Sequence, residues 1–256
     1  MSNTVLFITA FKNINRGSWN IFTRSIHDYL SWFKNLTQAP IKLICYCDED
    51  IKQHILKECE FTDIYPYDDE NTFFKFIDKE KNIMESEYFK TLTSHRCQPE
   101  VNRPGYNIVN HNKFIFIQRA KNMFPNYSHY SWIDFGYIRD KSSIPQLLDF
   151  STLEDNKVIY SAFRKPNPQN IRTPLFQCQY PDDVIQGSMF IVPKNKIDWL
   201  LDEYTKILIY YFENTLVDDD QALIMQLYRL HHNEFNLVIR NNWFELLNYY
   251  SLNNNI

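Results

Sequence analysis

The sequence predicts an α/β fold with a mostly parallel sheet flanked by helices, and three observations carry that expectation. Continuous apolar runs at 5–11, 41–47 and 130–135 read as strands buried on both faces. Between the first two, Ile26, Tyr29, Leu30, Phe33 and Leu36 recur at helical spacing. Strand, helix, strand in that order is the signature of a parallel α/β unit. The 256 residues, 44% hydrophobic, suffice for one sizeable core, so 1–256 is expected to be a single domain.

Each element has its own warrant. The first strand gives way at Lys12 to a polar loop containing Asn13, Asn15 and Gly17. Asp48-Glu49-Asp50 stops the second strand, after which 51–59 is expected to be helical and 62–67 a short strand. The charged stretch 71–93 favours one helix, with Phe73, Phe74, Ile77, Met84 and Tyr88 as its apolar members. Two prolines and a glycine make 94–107 a loop, and 110–124 returns to a helical pattern that Pro125 stops. Strands are expected at 158–163 and 184–192, separated by an irregular segment with Pro166, Pro168, Pro174 and Pro181. A long irregular segment in a compact domain is often a lid or binding loop. Ile197, Leu200, Leu201, Tyr204, Ile207, Leu208, Tyr211 and Phe212 form a core-facing helical stripe, to which no chemistry is assigned. A last helix is opened by Asp218-Asp219-Asp220-Gln221 and continues through Ala222 to Leu230.

Composition excludes several classes. Only 4 glycines are present, and neither a G-x-G-x-x-G nor a P-loop motif occurs. Lys and Arg number 27 against 31 Asp and Glu, interspersed along the chain, with none of the basic face a nucleic-acid binder shows. No apolar run approaches the ~20 residues of a membrane span. Val5 to Phe11 is too short for a secretory signal core. The 5 cysteines are scattered, and Cys45 and Cys47 would share one strand face, which suits burial in a reducing compartment. A cytoplasmic protein is expected.

Chemistry concentrates at two places. Asp134 closes an apolar strand in Ser131-Trp-Ile-Asp-Phe-Gly136, and Asp218-Asp-Asp-Gln221 opens the last helix, 84 positions after Asp134. Both can face one cleft at the carboxyl edge of an α/β sheet. A carboxylate at a strand tip is either a solvated end or a contact to ribose or to a cation bridging phosphates. One Asp suffices as a helix cap. Three adjacent carboxylates repel one another, which points to chemistry for Asp219 or Asp220 as a general base. Lys113 and Arg16 are either solvated surface or diphosphate contacts. His231-His232 is either a C-terminal cap or a source of a metal ligand.

These residues resemble the HtrL/YibB (WlaTC-type) family of glycosyltransferases. The matching pieces are Thr9-Ala-Phe11, Arg16-Gly-Ser-Trp19, Asn112-Lys-Phe114, Trp132-Ile-Asp-Phe-Gly136, Gly187 to Phe190, Asp218-Asp-Asp-Gln221 and Trp243-Phe244, spread over nearly the whole chain. The resemblance implies a GT-A, Rossmann-like nucleotide-diphospho-sugar transferase domain. It would move a sugar from a nucleotide donor, a UDP-sugar being favoured, to a glycan or glycolipid acceptor in surface polysaccharide synthesis. Thr9, Ala10, Phe11 and Asp48 would then hold base and ribose, with Gly136, Gly187 and Gln221 also at the donor. Arg16 and Lys113 would neutralise the diphosphate. Asp134 would contact ribose or metal. The wider GT-A pattern has Asp-x-Asp where this chain has Asp134-Phe135-Gly136, so a Mn²⁺ or Mg²⁺ ion would need a further ligand, such as Asp218 or His232. The alternative function is a non-catalytic nucleotide- or sugar-binding module on the same fold.

Overall fold

The computed structural model describes residues 3–182 and 184–252. The chain opens with β1 (Val5–Phe11), α1 (Ile26–Leu36), β2 (Lys42–Cys47), α2 (Glu49–Cys59) and β3 (Ile64–Pro66). These are the elements expected of the apolar runs and the intervening helical stripe. Ser25 starts α1 with a capping box: its hydroxyl accepts from the Asp28 N–H while the Asp28 carboxylate accepts from the Ser25 N–H.

The stretch expected to be one helix is two, α3 (Ile77–Glu85) and α4 (Glu87–Leu92), preceded by short 3-10 turns. Ser86 divides them. Its backbone is extended and its hydroxyl accepts from the Phe89 N–H, so it caps a new helix instead of continuing the old one. The expected loop at 94–107 instead holds α5 (Pro99–Asn102), with Pro99 at a position that tolerates a missing N–H, and the start of α6 (Tyr106–His111). Asn112 separates α6 from α7 (Lys113–Met123). Its side chain accepts from the Phe73 N–H at 2.7 Å and donates to Tyr67 Oη at 2.9 Å.

Then come β4 (His129–Ile133), β5 (Val158–Ala162), α8 (Pro174–Gln179), β6 (Ile185–Pro193), α9 (Ile197–Glu213) and α10 (Asp220–His231). The chain closes with β7 (Phe235–Ile239) and α11 (Leu246–Tyr249). The proline-rich segment is thus irregular except for α8 and one 3-10 turn. Strand β7 was not expected. Only Phe235 of its five residues is buried, so it lacks the continuous apolar run that marks the inner strands.

The sheet order is β3-β2-β1-β4-β6-β5-β7. All neighbours run parallel except β6, which is antiparallel to both β4 and β5. Alternation along β1 feeds two cores: Leu6 and Ile8 join the core that includes α7, α9 and α10, while Val5, Phe7 and Phe11 join the one that includes α1 and α2. Cys45 and Cys47 lie together in the second core, unbridged. Among the described residues no helix is long and apolar enough to cross a membrane.

Candidate functional site

From β1 the chain winds one way to β2 and β3, and then β4 is laid on the other side of β1. That reversal opens a crevice beyond the carboxyl ends of β1 and β4, the place where open α/β sheets bind ligands. A cleft open to solvent lies there. Its lining includes Ala10 to Ile14 from the end of β1, Arg16, Arg24 and Tyr29 around the start of α1, and Trp132, Asp134, Phe135, Gly136 and Arg139 from the end of β4. Tyr106, Val109, Asn110 and Lys113 line the cleft at helical spacing across α6 and the start of α7, and Phe244 closes it from the C-terminal segment.

The cleft floor is a buried charge network. Lys113 is 3% exposed. Its Nζ donates to Asp220 Oδ2 at 2.8 Å and to the Gly187 carbonyl at 3.0 Å, and lies 3.5 Å from Asp134 Oδ1. Burial pulls the ammonium's pKa down, but Asp134 and Asp220 outweigh it and hold Lys113 above the ordinary lysine value. Burial likewise pushes the Asp220 carboxyl up, against the opposing pull of Lys113. Glycine at 187 permits this packing: a Cβ there would sit 2.6 Å from Asp220 Oδ2. Gly136 does the same for the turn after β4, where a Cβ would meet Trp32 Cε3 at 2.7 Å.

Asp134 is the one carboxylate among the described lining residues. Trp132, two positions earlier and therefore on the same strand face, donates its indole N–H to Asp134 Oδ1 at 2.8 Å. The described residues offer Oδ2 no hydrogen bond, and the side chain is 37% exposed towards the cleft. Asp134 is thereby oriented by Trp132 and Lys113 with one oxygen open to a ligand.

The cleft brings together six of the residues singled out from sequence: Ala10, Phe11, Arg16, Lys113, Asp134 and Gly136. The others take different places. Asp219 is an N-cap whose Oδ1 accepts from the Gln221 and Ala222 N–H groups. Asp220 sits behind Lys113, and Asp218 is paired with Arg96 at 3.2 Å, burial raising its carboxyl to about 6 against the guanidinium's pull. The acidic cluster therefore builds the floor and does not line the cleft, because each carboxylate is spent on a buried partner or a helix start. Thr9 is fully buried inside β1. Asp48 pairs with Lys12 at 3.1 Å, outside the cleft lining. Gly187 packs on Asp220, and Gln221 donates to the Ile185 carbonyl at 3.3 Å. His232 is exposed beyond the far end of α10, whose 12 residues span about 18 Å, too far to complete a ligand set with Asp134.

A protein-held divalent cation does not fit these residues. Hard cations need several oxygen ligands. Asp134 has the Lys113 ammonium 3.5 Å away, and Asp220 turns towards that same ammonium. Among the described residues no group of three or more His, Cys, Asp or Glu side chains could hold a metal.

Lys12, Arg24, Tyr106 and Arg139 were not singled out from sequence, and Tyr29, Trp132 and Phe244 were named there without a role at the site. Two signals were present: the strand period linking Trp132 to Asp134, and the 106-109-110-113 helical spacing, hidden by placing a loop across Tyr106.

Residues 3–251 match the model of a family described as bacterial protein of unknown function (HtrL_YibB). Among solved structures, the chain is similar to the glycosyltransferase GlyE of Streptococcus pneumoniae TIGR4, at 10% identity and a TM-score of 0.39 over 93% of this chain. The chain spans 45% of that protein's length. It is also similar to mouse xyloside xylosyltransferase 1 in its apo form, at 10% identity and a TM-score of 0.41, over 93% of this chain and 85% of the other. No curated protein sequence matches.

Proposed function

We propose a function from two premises: the chain belongs to the HtrL_YibB family, and its cleft opens at the switch point between β1 and β4 around one oriented carboxylate. The proposed activity is transfer of a sugar from a nucleotide-diphosphate donor, a UDP-sugar foremost, to a hydroxyl of a glycan or glycolipid acceptor. The observation that carries it is the cleft's charge. Of the five cationic side chains that line it, Lys12 and Lys113 are paired with carboxylates, while Arg16, Arg24 and Arg139 form no ion pair among the described residues, in a chain whose net charge is −4. Such a lining suits a multiply charged anion, and Tyr106, Trp132 and Phe11 add flat apolar faces for a base or sugar.

In this reading Asp134 takes the proton of the acceptor hydroxyl as that oxygen attacks the sugar carbon, while the nucleoside diphosphate leaves into the cationic wall. Trp132, Lys113 and Asp220 are positioning residues, acting through Asp134. Surface-glycan assembly in a reducing compartment is the proposed setting, in keeping with five free cysteines.

A second reading has one observation in its favour. Because Asp218, Asp219 and Asp220 are engaged in the floor, the cleft presents only Asp134 for chemistry, and a non-catalytic nucleotide- or sugar-binding module needs no more than that. A thermal-shift panel of nucleotide sugars, free nucleotides and free sugars tests what the two share. A ligand at 100 times its Kd stabilises by about 2.7 kcal/mol. The expected result is an upward shift with one group of nucleotide-diphosphate sugars that free sugars do not reproduce. A flat panel would remove both readings.

A further inference from the structure

We infer that the donor's diphosphate is held by Arg16, Arg24 and Arg139, with no divalent cation taking part. The inference rests on the reading of the cleft as a nucleotide-sugar site and deepens it.

The three arginines come from separate segments and converge on one wall: Arg16 from the loop after β1, Arg24 from just before α1, and Arg139 from the turn after β4. None forms an ion pair among the described residues, whereas Lys12, on the opposite side of β1's end, is paired with both Asp48 and Asp69. What the arginines touch is aromatic. Arg139 lies 4.8 Å from the Trp32 ring centre and 4.3 Å from that of Phe244. Arg24 lies over Trp32 at 5.9 Å, and Arg16 lies over Trp19 and Tyr106 at 5.1 and 5.5 Å. A guanidinium bedded by its face keeps its in-plane N–H edge for an acceptor, and that edge matches phosphate oxygens two at a time.

Arg16 is the most fixed of the three. Its Nη1 donates to Tyr29 Oη at 2.9 Å and its Nη2 to the Phe22 carbonyl at 3.2 Å, while its buried Nε–H has no partner among the described residues. Desolvation on its aromatic bed, and then the charges of Arg24 and Arg16, pull Arg139 below the ordinary arginine value. The wall is a cluster of mutually repelling cations, a cost that an arriving dianion relieves. On the other side, Asp134 faces Lys113 at 3.5 Å, and among the described residues no group of three or more His, Cys, Asp or Glu side chains is placed to hold a Mg²⁺ or Mn²⁺ ion.

The test is calorimetric titration of the whole protein with UDP and with inorganic pyrophosphate, each in EDTA and in excess Mn²⁺. Expected is binding of both in EDTA, changed less than threefold by Mn²⁺. Affinity should fall at least tenfold in Arg24→Gln and in Arg139→Gln, and by less in Arg139→Lys, with melting temperatures within a few degrees of wild type. Binding only with Mn²⁺, or binding unchanged in both Gln variants, overturns the inference and leaves the nucleotide reading standing. Metal-free binding of pyrophosphate without UDP does the reverse: the arginine site stands and the nucleotide reading falls. Binding of neither probe in either buffer overturns both.

Discussion

At the scale of single residues, Lys113 holds the cleft floor together. A buried ammonium is stable there only because two carboxylates and a carbonyl surround it. Its removal leaves Asp220 charged, buried and unpaired. We therefore expect Lys113→Met to destabilise the protein by about 3–5 kcal/mol. Asp220→Asn alone should cost less, since Asn can still accept from Lys113. The double variant should be more stable than the two single losses added together, because the orphaned charge is gone. Denaturant unfolding of the four proteins measures the coupling. Additivity within about 0.5 kcal/mol would show that the pair is not a unit. The sequence made Lys113 and Asp220 visible as charged residues in helical stretches, but not their meeting across 107 positions. Nothing local announces a buried ion pair. For the same reason the acidic run did not reveal that Asp218 and Asp220 meet distant cations, while Asp219 caps a helix.

At the scale of elements, strands with continuous apolar runs and helices with clear stripes were legible, and the breaks at Ser86 and Asn112 were not. The first is a local cap, Ser86 accepting from the Phe89 N–H; the second is tertiary, since Asn112 stops a helix where its side chain can reach Phe73 and Tyr67. A further inter-element lock joins α3 to the start of α6, the helix that carries Tyr106 into the cleft. Glu80 is fully buried, and its Oε2 accepts from the Gly105 N–H at 3.0 Å. Burial raises its carboxyl from the ordinary 4.5 to about 7, against the opposing pull of that hydrogen bond. The native state therefore keeps a proton that the unfolded chain gives up, so this group's contribution to stability falls as pH rises from about 4.5 to about 7. Glu80→Gln carries a permanently neutral side chain and lacks that dependence. Melting curves of both proteins across pH 4 to 8 should show the wild type losing ground to the variant as pH rises, with Asp218 and His111 common to both. A constant difference would mean that Glu80 titrates at its ordinary value in the native protein.

At the scale of the molecule, the sheet order decides where chemistry can occur. The reversal at β1 puts the ends of β1 and β4 side by side, and the cleft follows from that topology before any side chain is considered. The α/β class and the place of Asp134 at a strand tip could be read from apolar runs. The cationic wall could not, because Arg16, Arg24 and Arg139 are spread over 124 positions and become a cluster only when the turns after β1 and β4 close on α1. The central claim, that this cleft transfers sugars with Asp134 as the reacting carboxylate, is tested most directly by the rate of nucleoside diphosphate release. The donor that most raises the melting temperature is incubated with wild type and with Asp134→Asn, a substitution that still lets Trp132 donate to the side chain. The account predicts release by the wild type above the buffer rate, and a loss on the order of 100-fold in a variant that melts like the wild type and still binds the donor. Equal release by the two proteins, or none above buffer from the wild type with any stabilising donor, would contradict it.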